Sequence, residues 1–84
     1  MDELNHKFGR VLRQVRQEYR WSQEVLADRA GLNRCYLGEV ERGEAVPSLL
    51  TLAKLAVALD IPLSRLLARC ERPQQQSSPM MAID

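Results

Sequence analysis

Aromatic side chains make up only 5% of the sequence, although 45% of it is hydrophobic. The core must therefore be built from Leu, Val and Ala, a composition that suits helices packed on helices. Long apolar runs are missing too. No stretch approaches the roughly 18 uninterrupted apolar residues that span a bilayer, and the opening MDELNHKFGR lacks the apolar centre of a secretory signal, so the expected location is the cytoplasm. Cysteine is limited to Cys35 and Cys70 and histidine to His6. Two thiols in a reducing compartment make no disulfide framework, and these three groups do not supply a zinc ligand set at workable spacing. Neither a metal nor a cofactor is expected. An enzyme is not expected either: there is no Ser/His/Asp set and no Gly-rich phosphate loop, and Glu24 and Asp28 read as solvated charges. Charge of one sign is also scarce. The formal net charge is +1, too small to announce a polyanionic partner by itself. Lys7, Arg10, Arg13, Arg16 and Arg20 nevertheless outnumber Asp2, Glu3 and Glu18 in the first twenty residues. Any contact with a polyanion must depend on where charges sit.

What is present is helical period. At 84 residues the chain has room for one domain. Leu4, Phe8, Val11, Leu12 and Val15 recur at three- and four-residue spacing and predict a first helix over about residues 4 to 19, with Arg10, Arg13 and Gln17 on its other faces. Ser22 is a suitable N-cap for a second helix, with Glu24 in its first turn, Leu26, Ala27 and Ala30 inward, and Gly31 as its stop. Asn33 can cap a third, whose inward positions are Leu37 and Val40 and which ends at Gly43. Pro47 and Ser48 open a fourth through LLTLAKLAVAL, with Leu52, Leu55, Ala56 and Leu59 inward. Asp60, Ile61 and Pro62 break it. Leu63, Leu66 and Leu67 define a short fifth helix to about Arg72. Beyond Pro73 the polar run QQQSSPMMAID has no period. The expectation is an all-α, compact five-helix bundle over residues 1–72 and a flexible C-terminal tail over 73–84.

The second and third helices with the turn at Gly31 form a helix-turn-helix. Such a hairpin is also common as plain packing, so the outward side of the third helix decides. With Leu37 and Val40 turned inward, that side carries Arg34, Cys35, Gly38 and Glu39. Arg bonds bidentately to guanine, Glu accepts from cytosine, and the DNA major groove admits the helix that carries them. Small Cys35 and Gly38 would let the backbone approach. Arg34 and Cys35 fall at the N-terminal end, from which recognition helices read bases. Gln23, just after the cap of the second helix, is placed to bind a phosphate, and Arg42 with the backbone of Gly43 and Glu44 could grip the strand on the other side. The plainer alternative for Gln23 and Arg42 is a solvated surface. Cys35 has two readings as well: a small neutral residue beside DNA, or a thiol sensitive to oxidants.

The runs SQEVLADRAGL, YLGEVERG, PSLLTLAKLAVAL and IPLSRLL, all in register over about residues 7 to 68, resemble the bacterial and phage helix-turn-helix regulators typified by the phage repressors and Cro. They are also similar to the small controller proteins of restriction-modification systems. The resemblance implies a lambda-repressor-like domain in the bacterial cytoplasm, associated with the nucleoid, acting as a dimeric repressor or controller on a palindromic operator. It further implies that Arg34, Cys35 and Glu39 face bases, that Gln23 holds a phosphate, that Asn33, Tyr36, Arg42 and Gly43 flank the backbone, and that Arg16 pairs with Glu41. Departures from the family pattern are Cys35 and Gly38, where hydroxyl residues are usual, and Val25 at a usually polar position. Two half-sites roughly 34 Å apart call for a two-fold dimer. Leu63 and Leu67 are the expected interface, with Arg65 and Arg69 at its rim, Leu66 in the core, and the MMAI of the tail adding to it. RNA polymerase is a possible further partner of the acidic surface at Glu24 and Glu39. The alternatives are an antitoxin that covers a toxin with its tail, or an adaptor that binds another protein.

Overall fold

The computed structural model describes residues 2 to 71; the expectations on residues 72 to 84, including the tail and its MMAI, lie outside them. Five helices follow in order: α1 (Asp2–Glu18), α2 (Gln23–Ala30), α3 (Arg34–Glu41), α4 (Leu49–Leu59) and α5 (Leu63–Glu71). Among the described residues there is no strand.

Each helix sends leucine to a common centre. Leu12, Leu26, Leu37, Leu55, Leu59 and Leu66 are completely buried, each contributing about 1.5 to 3 kcal/mol of transfer free energy. Around them α1 packs on α3 and α5, α2 on α3 and α4, and α4 on α5. The cap signals are all used. Ser22 Oγ accepts from the Val25 N–H at 3.1 Å, Asn33 Oδ1 from Cys35 and Tyr36 at 2.7 and 3.2 Å, and Ser48 Oγ from Thr51 at 3.1 Å, each bond satisfying a donor that the helix start would otherwise strand. Gly31 ends α2 in the left-handed region at φ 68°, as its place in the sequence predicts.

Several expectations need correction. Leu4 is half exposed, at the rim of an apolar groove and not in the core. The third helix stops at Glu41 and not at Gly43: Arg42 is its cap residue, and Gly43 takes the left-handed turn at φ 77°. On α4 it is Thr51 that is buried, while Leu52 is only half-buried. Gly9 has a role that its sequence neighbours do not signal. A Cβ there would fall on the Glu41 carbonyl oxygen and within 2.8 Å of that of Val40, so α1 lays bare backbone against the C-terminal end of α3.

The turn after α1 is fastened from two sides. The Tyr19 hydroxyl donates to the Leu59 carbonyl at the end of α4, and the Tyr19 and Trp21 rings lie 4.7 Å apart with the Arg29 guanidinium 4.5 Å from the Trp21 ring.

Candidate nucleic-acid interface

The turn between α2 and α3 is three residues long, Gly31, Leu32 and Asn33. Gly31 supplies the reversal and Asn33 starts α3. The orientation of α3 is then fixed from beneath, by Leu37 and Val40 in the core and by Glu41, only 8% exposed. Arg16 reaches Glu41 from α1 as a fork: Nε donates to Oε2 at 2.7 Å and Nη2 to Oε1 at 3.0 Å, while Nη1 donates to the Trp21 carbonyl at 2.8 Å. The Gln23 amide nitrogen adds a further bond to Glu41 Oε1 at 2.9 Å. A buried carboxylate is tolerated when its oxygens are matched in this way. Of the two acids in α3, Glu41 is thereby held inward and neutralised, while Glu39 remains in solvent.

On the opposite side Arg34, Cys35 and Glu39 are all exposed. The other residues singled out in the sequence are each engaged. Gln23 is half-buried beside Glu41, with one amide nitrogen committed there. Asn33 spends its side-chain oxygen on the cap of α3. Tyr36 packs against the core with its hydroxyl 3.4 Å from Thr51 Oγ1. At Gly43 the positive φ favours glycine, and a Cβ would lie 2.7 Å from the exposed His6 ring, which would have to turn aside.

Gly38 behaves differently from its sequence reading. It is buried, not an open gap on the helix, and the groups nearest to it are Arg42 and Gln23. Arg42 itself bonds Glu44, Nη2 to Oε1 at 3.1 Å, at a site where both side chains are more than half exposed. That hydrogen bond holds the Glu44 carboxyl below its ordinary range and raises the Arg42 guanidinium further.

At the far end, Leu66 is in the core while Leu63 and Leu67 are half-buried. Leu67 lines an apolar groove of about 290 Å³ with Leu4, Phe8, Val46, Leu52 and Cys70. Leu63 borders a shallower hollow with Ala53, Val57 and Ile61. Sequence reasoning missed the outer side of α4, where Leu49, Leu50 and Val57 are 72%, 65% and 81% exposed. The signal was there: LLTLAKLAVAL has more apolar residues than one inward stripe uses. Among the described residues no group of three or more His, Cys, Asp or Glu could hold a metal, and no helix is long and apolar enough to cross a membrane.

A family model described as Helix-turn-helix matches residues 12–66. The chain belongs to the helix-turn-helix family. The helix-turn-helix regulator SutR of Escherichia coli is 34% identical to it over 79 residues, 94% of this chain and 42% of SutR. The control protein C.SmaI of Serratia marcescens is 50% identical over 48 residues, 57% of each protein. The solved structure of the restriction-modification controller protein C.AhdI from Aeromonas hydrophila matches with a TM-score of 0.72 at 48% identity, covering 74% of this chain and 94% of that one. This helix-turn-helix chain thus spans about two fifths of SutR and nearly all of the C.AhdI chain. All three relatives are named as regulators or controllers, in agreement with the expected non-enzymatic role.

Proposed function

We propose that the chain is a sequence-specific DNA-binding transcription regulator, a dimeric repressor or controller protein that lays α3 in the major groove of a palindromic operator. The carrying observation is the two-sidedness of α3: Glu41 is buried and matched by Arg16, while Arg34, Cys35 and Glu39 stand in solvent. Arg34, at the first position of α3, reads guanine; Glu39 accepts from cytosine; Cys35 adds a small neutral contact. The second amide hydrogen of Gln23 and the Asn33 amide hold the flanking phosphates, with Tyr36 and Gly43 beside the DNA backbone. Arg42, by its place in the sequence, flanks the same backbone. Residues 1–72 form the DNA-binding unit in this reading, with 73–84 as an appended tail, and the setting is the bacterial cytoplasm and nucleoid.

Leu63 and Leu67, with exposed Val57 of α4 beside Leu63, supply the dimer contact, and Arg65 and Arg69 its rim. Exposed Arg34 at the head of α3 favours a polyanion over the protein partner of an adaptor or antitoxin. RNA polymerase is a second partner wherever the operator adjoins a promoter.

Footprinting the chain on the DNA upstream of its own gene tests the reading. The expected result is a protected pair of inverted half-sites about one helical turn apart and an affinity that falls steeply with salt. Equal, weak protection of every duplex would refute it. A monomeric mass at micromolar concentration together with full affinity would refute the dimer.

A further inference from the structure

The outward side of α3 holds a glycine where a helix interior disfavours one. Gly38 has no positive φ, so no backbone conformation demands it. A side chain there would not meet the core either. It would meet Arg42: an added Cβ lies 3.1 Å from Arg42 Nη1, 3.9 Å from its Cζ and 3.6 Å from Gln23 Oε1. Side chains on a helix lean toward its N-terminus and cover the turn before their own Cα. Arg42, one turn beyond, lies back along α3 over the bare backbone of residue 38. Glu44 holds the other side of the guanidinium at 3.1 Å. After Glu44, the carboxylate of Glu39 on the same side of α3 also acts on its charge. The cation is thus carried from the end of α3 back onto the side that bears Cys35 and Glu39.

We propose that Gly38 is a specificity-determining position, the notch that lets Arg42 present its guanidinium to base edges in the major groove beside those reached by Arg34. This rests on the DNA-binding reading above. A guanidinium so placed donates bidentately to O6 and N7 of a guanine. A side chain at residue 38 lifts the guanidinium off the helix and returns it to solvent and phosphate.

The test selects bound sequences from a pool of randomised double-stranded DNA, using the whole chain as wild type, Arg34→Ala, Arg42→Ala, Arg42→Lys, Gly38→Ala and Gly38→Leu. Thermal unfolding checks that each variant is folded. The wild type is expected to prefer a guanine at one position per half-site that Arg34→Ala leaves unchanged. That preference falls roughly ten-fold in Arg42→Ala and in Gly38→Leu. Lys at 42 does not restore it, since a point charge lacks the fork. Combining Gly38→Leu with Arg42→Ala gives no further loss. Should Leu unfold the chain, Gly38→Ala must show a smaller loss at the same position. Uniform weakening on all sequences in Arg42→Ala, restored by Lys, would make Arg42 a phosphate contact and overturn the proposal. So would an unchanged preference in the folded Gly38 variants. A wild type that selects no sequence at all overturns the DNA-binding reading and this proposal together, whereas a selective wild type with unselective roles for residues 38 and 42 overturns only this one.

Discussion

Replacing Arg16 by Met leaves Glu41 buried with no cation. In the native chain the Glu41 side chain is 3% exposed and that of Arg16 11%, and Arg16 supplies two of the bonds to the carboxylate, the remaining one coming from Gln23. Breaking a buried pair from one side costs about 3 to 5 kcal/mol, because the remaining charge keeps its desolvation penalty. The lost bond from Nη1 to the Trp21 carbonyl adds about 1 kcal/mol. A domain of this size has a total stability of roughly 4 to 12 kcal/mol. Arg16→Met should therefore lower the melting temperature by roughly 15 to 50 °C and leave the protein at or beyond its unfolding limit at 37 °C. The second arm of the experiment removes the charge as well. Arg16→Met with Glu41→Leu replaces the pair by apolar volume and should recover most of the loss, as such replacements commonly do. Calorimetric or circular-dichroism melts at neutral pH measure both. A single variant within about 1 kcal/mol of the wild type would refute the argument, and so would a double variant as unstable as the single.

Three further outcomes follow from the same geometry. Gly9→Ala should destabilise by about 2 kcal/mol or more despite the better helix propensity of Ala, since the new methyl meets the backbone carbonyls of Val40 and Glu41, which cannot turn aside; chemical denaturation measures it, and an unchanged midpoint would contradict the close approach. Burial pushes the Cys70 thiol above its ordinary pKa while Cys35 is exposed. Iodoacetamide at neutral pH should therefore label Cys35 first, with Cys70 reacting only as the pH rises past the usual thiol range; equal labelling by mass spectrometry would refute it. Arg34→Ala should cost about 1 to 3 kcal/mol on the operator, with relaxed preference at one base pair per half-site; a loss spread evenly over all sequences would reassign Arg34 to phosphate.

The helices were legible because their signals are local. Ser22, Asn33 and Ser48 bond donors two or three residues away, and Leu37 with Val40 marks an inward side at a spacing visible in one turn of chain. What lies between elements was less legible. Gly9 is explained only by the α3 carbonyls it touches, thirty-one and thirty-two residues further along. Gly38 read as an open approach to a ligand, because nothing in its neighbours says that the Arg42 side chain folds back over it. Leu4 fits the period of its helix yet lines an open groove, half in solvent. Thr51 took an inward place because its hydroxyl meets those of Ser48 and Tyr36 there, a match no apolar count contains. The Arg16 and Glu41 contact spans twenty-five residues and entered the sequence reading through family resemblance alone.

The seam between α1 and α3 has a wider meaning. Gly9 and the Arg16 fork pin the underside of α3, so the angle of the helix does not rest on Arg34, Cys35 or Glu39. Arg34, Cys35 and Glu39 can be exchanged at little structural cost, whereas residue 38 shares its space with Arg42 and can change only in step with it. On the proposed reading, new target sequences would be reached by rewriting a few letters on a fixed chassis, with one pair of letters obliged to move together.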